Sequence, residues 1–350
     1  LDHSGEQLSI NSLSAERNAP LEISFKDFKI ATLTGFAQQD STLADGVLNG
    51  KATVTDITFS PVFVGDITVN DLSIKKDTVG NIKVLVDNKV KDTYNANVTI
   101  SGNDNDINLS GNYFTNTSSF DFLLNIRRLP MKTAQAFSGG AIRESSAYLD
   151  GKFNVTGTAD EPSVNGDLNF NNTVFNFAML NNIFRIDQEK IAVTSEGIRF
   201  NHFQVKDSSG NDLSIDGLAA TNNFTNYNFD LDIKADNFRA LNSTKKDNNL
   251  FYGQLYFDTR LKVKGTEAAP SVEGRLGIND KTKMTIVLPQ NDPGVVDREG
   301  IVVFVDKDSS QNDSLFLAGY DSLNTASVQG MDISVNITIN KNADFTLVID

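Results

Sequence analysis

Two histidines, His3 and His202, are the chain's only imidazoles, and neither has a second ligand at the spacing a metal site requires. Both read as surface or ordinary polar histidines. There is no cysteine, which removes thiolate nucleophiles, zinc–thiolate sites and disulfides together. No G-x-S-x-G elbow presents a serine. GVLNGKAT (46–53) falls short of a phosphate-binding loop: three residues separate its glycines, Ala52 stands where a hydroxyl should hold magnesium, and a strand follows instead of a helix. DKDSSQNDSLFL (306–317) starts like a calcium loop, but Gln311 replaces the turning glycine and Leu317 the closing glutamate. The acids of NDND (103–106) and SSGND (208–212) are turn formers first, because Asn and Asp side chains bond their own backbone. Weak calcium binding is the alternative reading of such turns. No catalytic residue, metal or cofactor is expected.

Composition narrows the class further. The 350 residues carry a net charge of −14, the wrong sign for a nucleic-acid surface. Hydrophobic residues make up 39% and charged ones 22%, the balance of a folded chain rather than a disordered one. The apolar set is unusual in carrying 24 Phe with no Trp and 4 Met. No apolar run approaches the roughly 20 residues that span a bilayer as a helix. The chain does not start with Met, so it reads as a piece or a mature form whose targeting segment or anchor lies outside it.

The elements that must carry any function alternate with period two. Phe120, Phe122, Leu124 and Ile126 alternate with other residues, as do Phe229, Leu231 and Ile233 with Asp230 and Asp232 between them. Leu255, Phe257, Leu261 and Val263 alternate with Asp258, Arg260 and Lys262, and Ile333, Val335, Ile337 and Ile339 with Ser, Asn and Thr. Successive side chains of a strand point to opposite faces, so each segment has one dry and one wet face. Polar turn clusters separate the segments. The fold class is all-β, with a few very short helices at FKIATLTGF (28–36), LPMKTAQAF (129–137) and FRAL (238–241).

The segments recur. GEQLSINSL (5–13) returns as GNDLSIDGL (210–218), and NGKATVT (49–55) as DGKFNVT (150–156). Each unit closes on a proline four residues ahead of a glycine: Pro61 and Gly65, Pro162 and Gly166, Pro270 and Gly274. Proline removes a ladder donor and glycine allows a bend, so the pair suits a structural corner where a sheet folds over. The chain is thus expected to be one continuous elongated β domain, 1–350. Its repeats cover 1–100, 101–209 and 210–284, and a β tail over 285–350 continues the sheet. Three separate sandwiches would need linkers, and no Pro- or Gly/Ser-rich linker stands at the unit boundaries. With two or three strands per rung, the length would be on the order of 40–60 Å. The apolar stripe is either a self-filled solenoid core or the floor of an open trough; periodicity does not separate the two.

Three passages carry a family resemblance: G-T-x-x-x-P-x-V-x-G at 157–166 and 265–274, GIRFNHFQVKDSSGNDLSIDG at 197–217, and LPQNDPGVVDREGIVVFVD at 288–306. In order and spacing, the chain resembles the C-terminal conserved region of the TamB (translocation and assembly module) family of AsmA-like, bridge-like envelope proteins, best over residues 100–310. The resemblance implies a β-taco, a long sheet curled into a U-shaped trough with an apolar interior. It also implies residence in the periplasm and cell envelope of a Gram-negative bacterium, with an inner-membrane anchor outside this piece. The implied partners are an Omp85-type outer-membrane barrel protein and either lipid acyl chains or unfolded β-barrel clients.

The functional expectation is a non-enzymatic envelope protein that shelters acyl chains or nascent β-strands for outer-membrane biogenesis, whether protein assembly or intermembrane phospholipid transport. An extracellular β-solenoid adhesin or surface-binding protein is the alternative. A β-helix enzyme acting on polysaccharide ranks last, since it would need charged residues gathered on one outward stripe.

Overall fold

The computed structural model describes residues 2–3, 5–32, 44–56, 61–288 and 332–349. The strands are β1 (Asp2–His3), β2 (Glu6–Ser12), β3 (Leu21–Lys29), β4 (Ala44–Thr55), β5 (Val62–Ile74), β6 (Asp77–Asp87), β7 (Thr93–Gly102), β8 (Asn105–Phe114), β9 (Ser119–Pro130) and β10 (Ile142–Thr158). They continue as β11 (Pro162–Phe177), β12 (Asn182–Thr194), β13 (Gly197–Lys206), β14 (Asp212–Ala220), β15 (Asn228–Ser243), β16 (Phe251–Thr266), β17 (Ala269–Ile278), β18 (Lys283–Leu288), β19 (Asp332–Ile339) and β20 (Asp344–Ile349). All join one long open sheet that is not closed into a barrel. Each strand from β2 to β16 pairs antiparallel with the next in the chain, and β16 also pairs antiparallel with β18; β19 and β20 then add in parallel to β17 and β18.

Register sorts side chains onto two faces. One row passes from Leu8 through Phe25, Gly50, Ile67, Val84 and Val98. It goes on through Leu109, Leu124, Phe153, Gly166, Val193 and Ile198. Ala219, Phe229, Gly265 and Pro270 complete it. Every strand from β2 to β17 contributes, and no member is polar. On the other face, Asp216, Asp232, Lys262 and Glu273 lie side by side. Cross-strand pairs tie that face together, such as Lys262 Nζ to Asp232 Oδ1 at 2.7 Å.

The sheet curls because its strands are bent at bulges. At FKDF (25–28), VNDL (69–72), FNHF (200–203) and ADNF (235–238) the register slips, and Asp27, Asp71, His202 and Asn237 take φ near +50°. Asp and Asn tolerate this left-handed conformation better than most residues. A bulge resets the alternation, so the apolar residue three positions after the last still points to the same face. Each freed N–H finds an acceptor on a neighbouring strand: Asp27 bonds Asn49 Oδ1 at 2.8 Å, Asp71 bonds Asn81 Oδ1 at 3.0 Å, and His202 bonds Asp216 Oδ1 at 2.6 Å.

Two expectations are corrected here. FRAL (238–241) is not a helix; it lies inside β15, with Phe238 and Leu241 only 3% and 1% exposed. Two bulges there put apolar residues three apart, which imitates helical spacing. The expected length is also too short. A single bent strand supplies both walls at each step, so β2 to β17 stack one by one over about 70 Å. Of the other expected helices, Met131–Phe137 forms after Pro130 and covers β6 and β10. Residues 28–29 end β3, residues 30–32 are helical, and the rest of FKIATLTGF lies outside the described residues.

The proline–glycine pairs sit at hairpins. Pro162 opens β11 opposite Gly157, and Pro270 stands near the start of β17 opposite Gly265. Pro61 precedes β5, its carbonyl accepting from Asn88 Nδ2 at 2.9 Å. Four residues on, Gly166 and Gly274 meet the neighbouring strand so closely that a Cβ would lie 2.1 Å from the Lys152 and Arg260 carbonyl oxygens. Gly65 is looser, facing Val86 Cγ1 at 3.1 Å.

Candidate functional site: the apolar concave face

The curl is toward the apolar face. Phe184 of β12 and Phe238 of β15 are separated by two intervening strands, yet their rings stack at 5.9 Å. With Ala235 they form a small buried cluster, flanked by Phe175, Val205, Leu213 and Phe257. Only a sheet folded toward that face brings these side chains together.

The closed flank is secured by buried polar groups. Asp207, 1% exposed, accepts from the backbone N–H of Ser209 at 2.7 Å, of Asn211 at 3.0 Å and of Arg239 at 2.8 Å, and from Asn211 Nδ2 at 2.9 Å. Burial alone would raise its carboxyl, but these donors hold it below the ordinary range. Asn182, fully buried, donates to the Arg239 carbonyl at 2.6 Å, joining the β11–β12 hairpin to β15. Beside it, Arg143 Nη2 reaches Asp247 Oδ1 at 3.1 Å, and Asn181 Nδ2 reaches Asp247 Oδ2 at 2.9 Å.

Away from that flank the face is open. Phe120, Phe122, Leu124, Ile126, Phe229, Leu231, Ile233, Leu255, Leu261 and Val263 are all half-buried, as is Phe257 at the margin of the cluster. Register aligns Leu124 with Phe153, Leu231 with Val263, and Ile233 with Leu261. Ile333, Val335, Ile337 and Ile339 extend the same rows, Val335 beside Gly274 and Ile333 beside Val272. They are more exposed, Ile333 at 59% and Ile337 at 55%, because β19 forms an edge.

Phenylalanine and glycine tile the floor. Phe122 faces Gly111, Phe153 faces Gly166 and Phe229 faces Gly265 across the ladder. A Cβ on Gly111 would strike the Phe122 ring at 2.8 Å, so the ring lies over bare backbone. Glu189 interrupts the apolar surface. It pairs opposite Phe170, and burial raises its carboxyl although a bond from the Gln204 N–H opposes the shift. Among the described residues no three His, Asp or Glu converge as metal ligands, and no helix is long and apolar enough to cross a membrane. His202 is exposed, its Nδ1 3.6 Å from Asp216 Oδ2. The 306–317 turn and the 288–306 passage beyond Leu288 lie outside the described residues.

What sequence reading missed are the bulge residues, their acceptors, and Glu189. A signal existed for the first: two apolar residues three apart inside a period-two run, with Asp, Asn or His before the second. Glu189 has no such signal, since one carboxylate among alternating polar residues looks exposed.

The decisive observation is the one-sided apolar row across β2 to β17 combined with the passages at 197–217 and 265–274. Residues 201–350 match the TamB C-terminal domain. The match supports resemblance to the TamB family and begins at residue 201, further along the chain than the start of the 100–310 stretch over which the resemblance is best. The TamB-matched part includes β13 to β20 except its first four residues, and so includes the ADNF bulge, the 265–274 hairpin and the parallel edge. Neither a curated protein nor a solved structure matches the chain.

Proposed function

We propose that this chain is a non-enzymatic section of a periplasmic bridge that carries lipid acyl chains along its trough for outer-membrane biogenesis. The observation that supports this is the apolar row that crosses every strand from β2 to β17, half-buried along most of its length and buried only at Phe153 and Ala219. A track of this kind keeps each methylene out of water, at about 0.8 kcal/mol apiece, wherever the chain sits along it. The floor presents side chains, its backbone groups already being spent in the ladders. An acyl chain needs no hydrogen bonds and suits such a floor; a nascent β-strand client would instead pair at a sheet edge. The same reading takes residues 1–350 as one body of repeats, 1–100, 101–209 and 210–284 with a tail to 350. An Omp85-type barrel is the partner at the outer membrane, and an inner-membrane anchor stands outside this piece.

The test is lipid extraction and native mass spectrometry of protein purified without detergent. Acyl lipid is expected in the wild type and its loss in Leu231→Glu. A folded Leu231→Glu protein that retains its lipid would reject the trough as the carrier.

A further inference from the structure

We propose that one long rim of the trough is a docking surface for an anionic lipid bilayer. Because strands alternate in direction, the turns divide between two rims. The β5–β6 turn, the β9–β10 connection, the β11–β12 turn and the β15–β16 connection share one rim, and hydrogen bonds make them a continuous band. Lys75 Nζ donates to the Gly139 carbonyl at 3.3 Å, the Ala178 N–H to the Ala141 carbonyl at 2.9 Å, and Arg143 to Asp247 at 3.1 Å.

Two properties of this band point to the same occupant. Large apolar side chains stand out from it: Phe137 and Met179 are each 60% exposed and Leu250 is 48% exposed. Around them lie Lys75, Lys76, Lys132, Lys245 and Lys246, all exposed, none in an ion pair among the described residues. The acids on this rim include Asp71, Asp77, Asp104, Glu144, Asp247 and Asp280, and Asp247 is occupied by Arg143. The opposite rim has the reverse sign, with Asp160, Glu161, Glu196 and Glu267 exposed in its turns, while its β2–β3 turn, with Glu16 beside Arg17, and its β6–β7 turn, with Lys89 and Lys91 beside Asp87 and Asp92, are balanced.

In a chain of net charge −14, five unpaired lysines beside protruding Phe, Met and Leu match the requirements of an interfacial surface. The apolar tips enter the headgroup boundary while the lysines meet lipid phosphates, their stems lying along the apolar surface. An acidic protein would satisfy the lysines but gives no role to three apolar side chains spread over separate turns.

Flotation of the full chain with vesicles of phosphatidylglycerol and phosphatidylethanolamine, against phosphatidylcholine vesicles, tests this. The wild type should float with the anionic vesicles alone, and less so as salt is raised. K245Q/K246Q should weaken partitioning about 25-fold, roughly fivefold per lysine, and F137S/M179S should also reduce it. Lipid extracted from the trough should not change in these variants, whereas Leu231→Glu should lose trough lipid and still float, which keeps the two proposals distinguishable. Equal flotation with neutral vesicles would overturn the proposal. So would unchanged flotation of a folded variant lacking all five lysines, or capture by acidic proteins with no vesicle binding.

Discussion

The backbone N–H of Asn237, held at φ 50°, donates to Asp258 Oδ1 on the next strand at 2.6 Å. The same relationship joins Asp27 to Asn49, Asp71 to Asn81 and His202 to Asp216. Each bulge would otherwise leave a donor without its ladder partner, and an unpaired, half-buried N–H costs about 1–3 kcal/mol. The bend of the sheet is therefore built from pairs of residues, one that turns and one that caps.

Asp258→Ala should destabilise the protein by about 1–3 kcal/mol, while Asp258→Asn, which keeps an acceptor, should cost less. Amide hydrogen exchange would report the effect around 235–241 first. Wild-type protection there in Asp258→Ala would mean that the cap does not hold the bend.

Gly166→Ala and Gly65→Ala should differ sharply although both glycines stand four residues after a proline. The new Cβ would lie 2.1 Å from the Lys152 carbonyl oxygen in the first and meet only Val86 Cγ1, at 3.1 Å, in the second. Overpacking of the first kind costs about 1–3 kcal/mol or more. Denaturant midpoints of the two variants check the order.

Asp247 is held down to about 2 by bonds from the Thr244 backbone and side chain and by Arg143. A carboxyl depressed in the folded state stabilises above its ordinary value of 3.8 and loses that contribution as pH falls towards 2. The β15–β16 connection should thus loosen across that interval. Asp247→Asn should remove most of the pH dependence there, and proton exchange followed between pH 5 and 2 would detect it.

A charge should be tolerated on the floor and not in the flank. Leu231→Glu places a carboxylate on a half-exposed surface, whereas Leu241→Glu places it at 1% exposure. Burying an unpaired charge costs several kcal/mol even after relaxation. Leu231→Glu should remain folded by circular dichroism and Leu241→Glu should not. Similar unfolding of both would mean that the trough is sealed.

Much of the sheet was legible because strand alternation is a local property. Which residues of 120–126, 229–233 and 255–263 share a face follows from geometry that each strand carries by itself. The Phe-rich, Trp-free composition and the Pro–Gly recurrence are likewise visible in one dimension. Where the trough bends was decided elsewhere. A bulge is a mismatch in count between two strands, so FKDF and ADNF acquire their meaning only beside Asn49 and Asp258. For the same reason 238–241 imitated a helix, since the insertion changes the apolar spacing and nothing local says why. The length of the sheet, the burial of Phe184 against Phe238, and the gathering of lysines onto one rim are also tertiary. They depend on which strands are neighbours and on how far each bends, and those choices minimise exposed apolar surface and unpaired backbone over the whole sheet rather than within any segment.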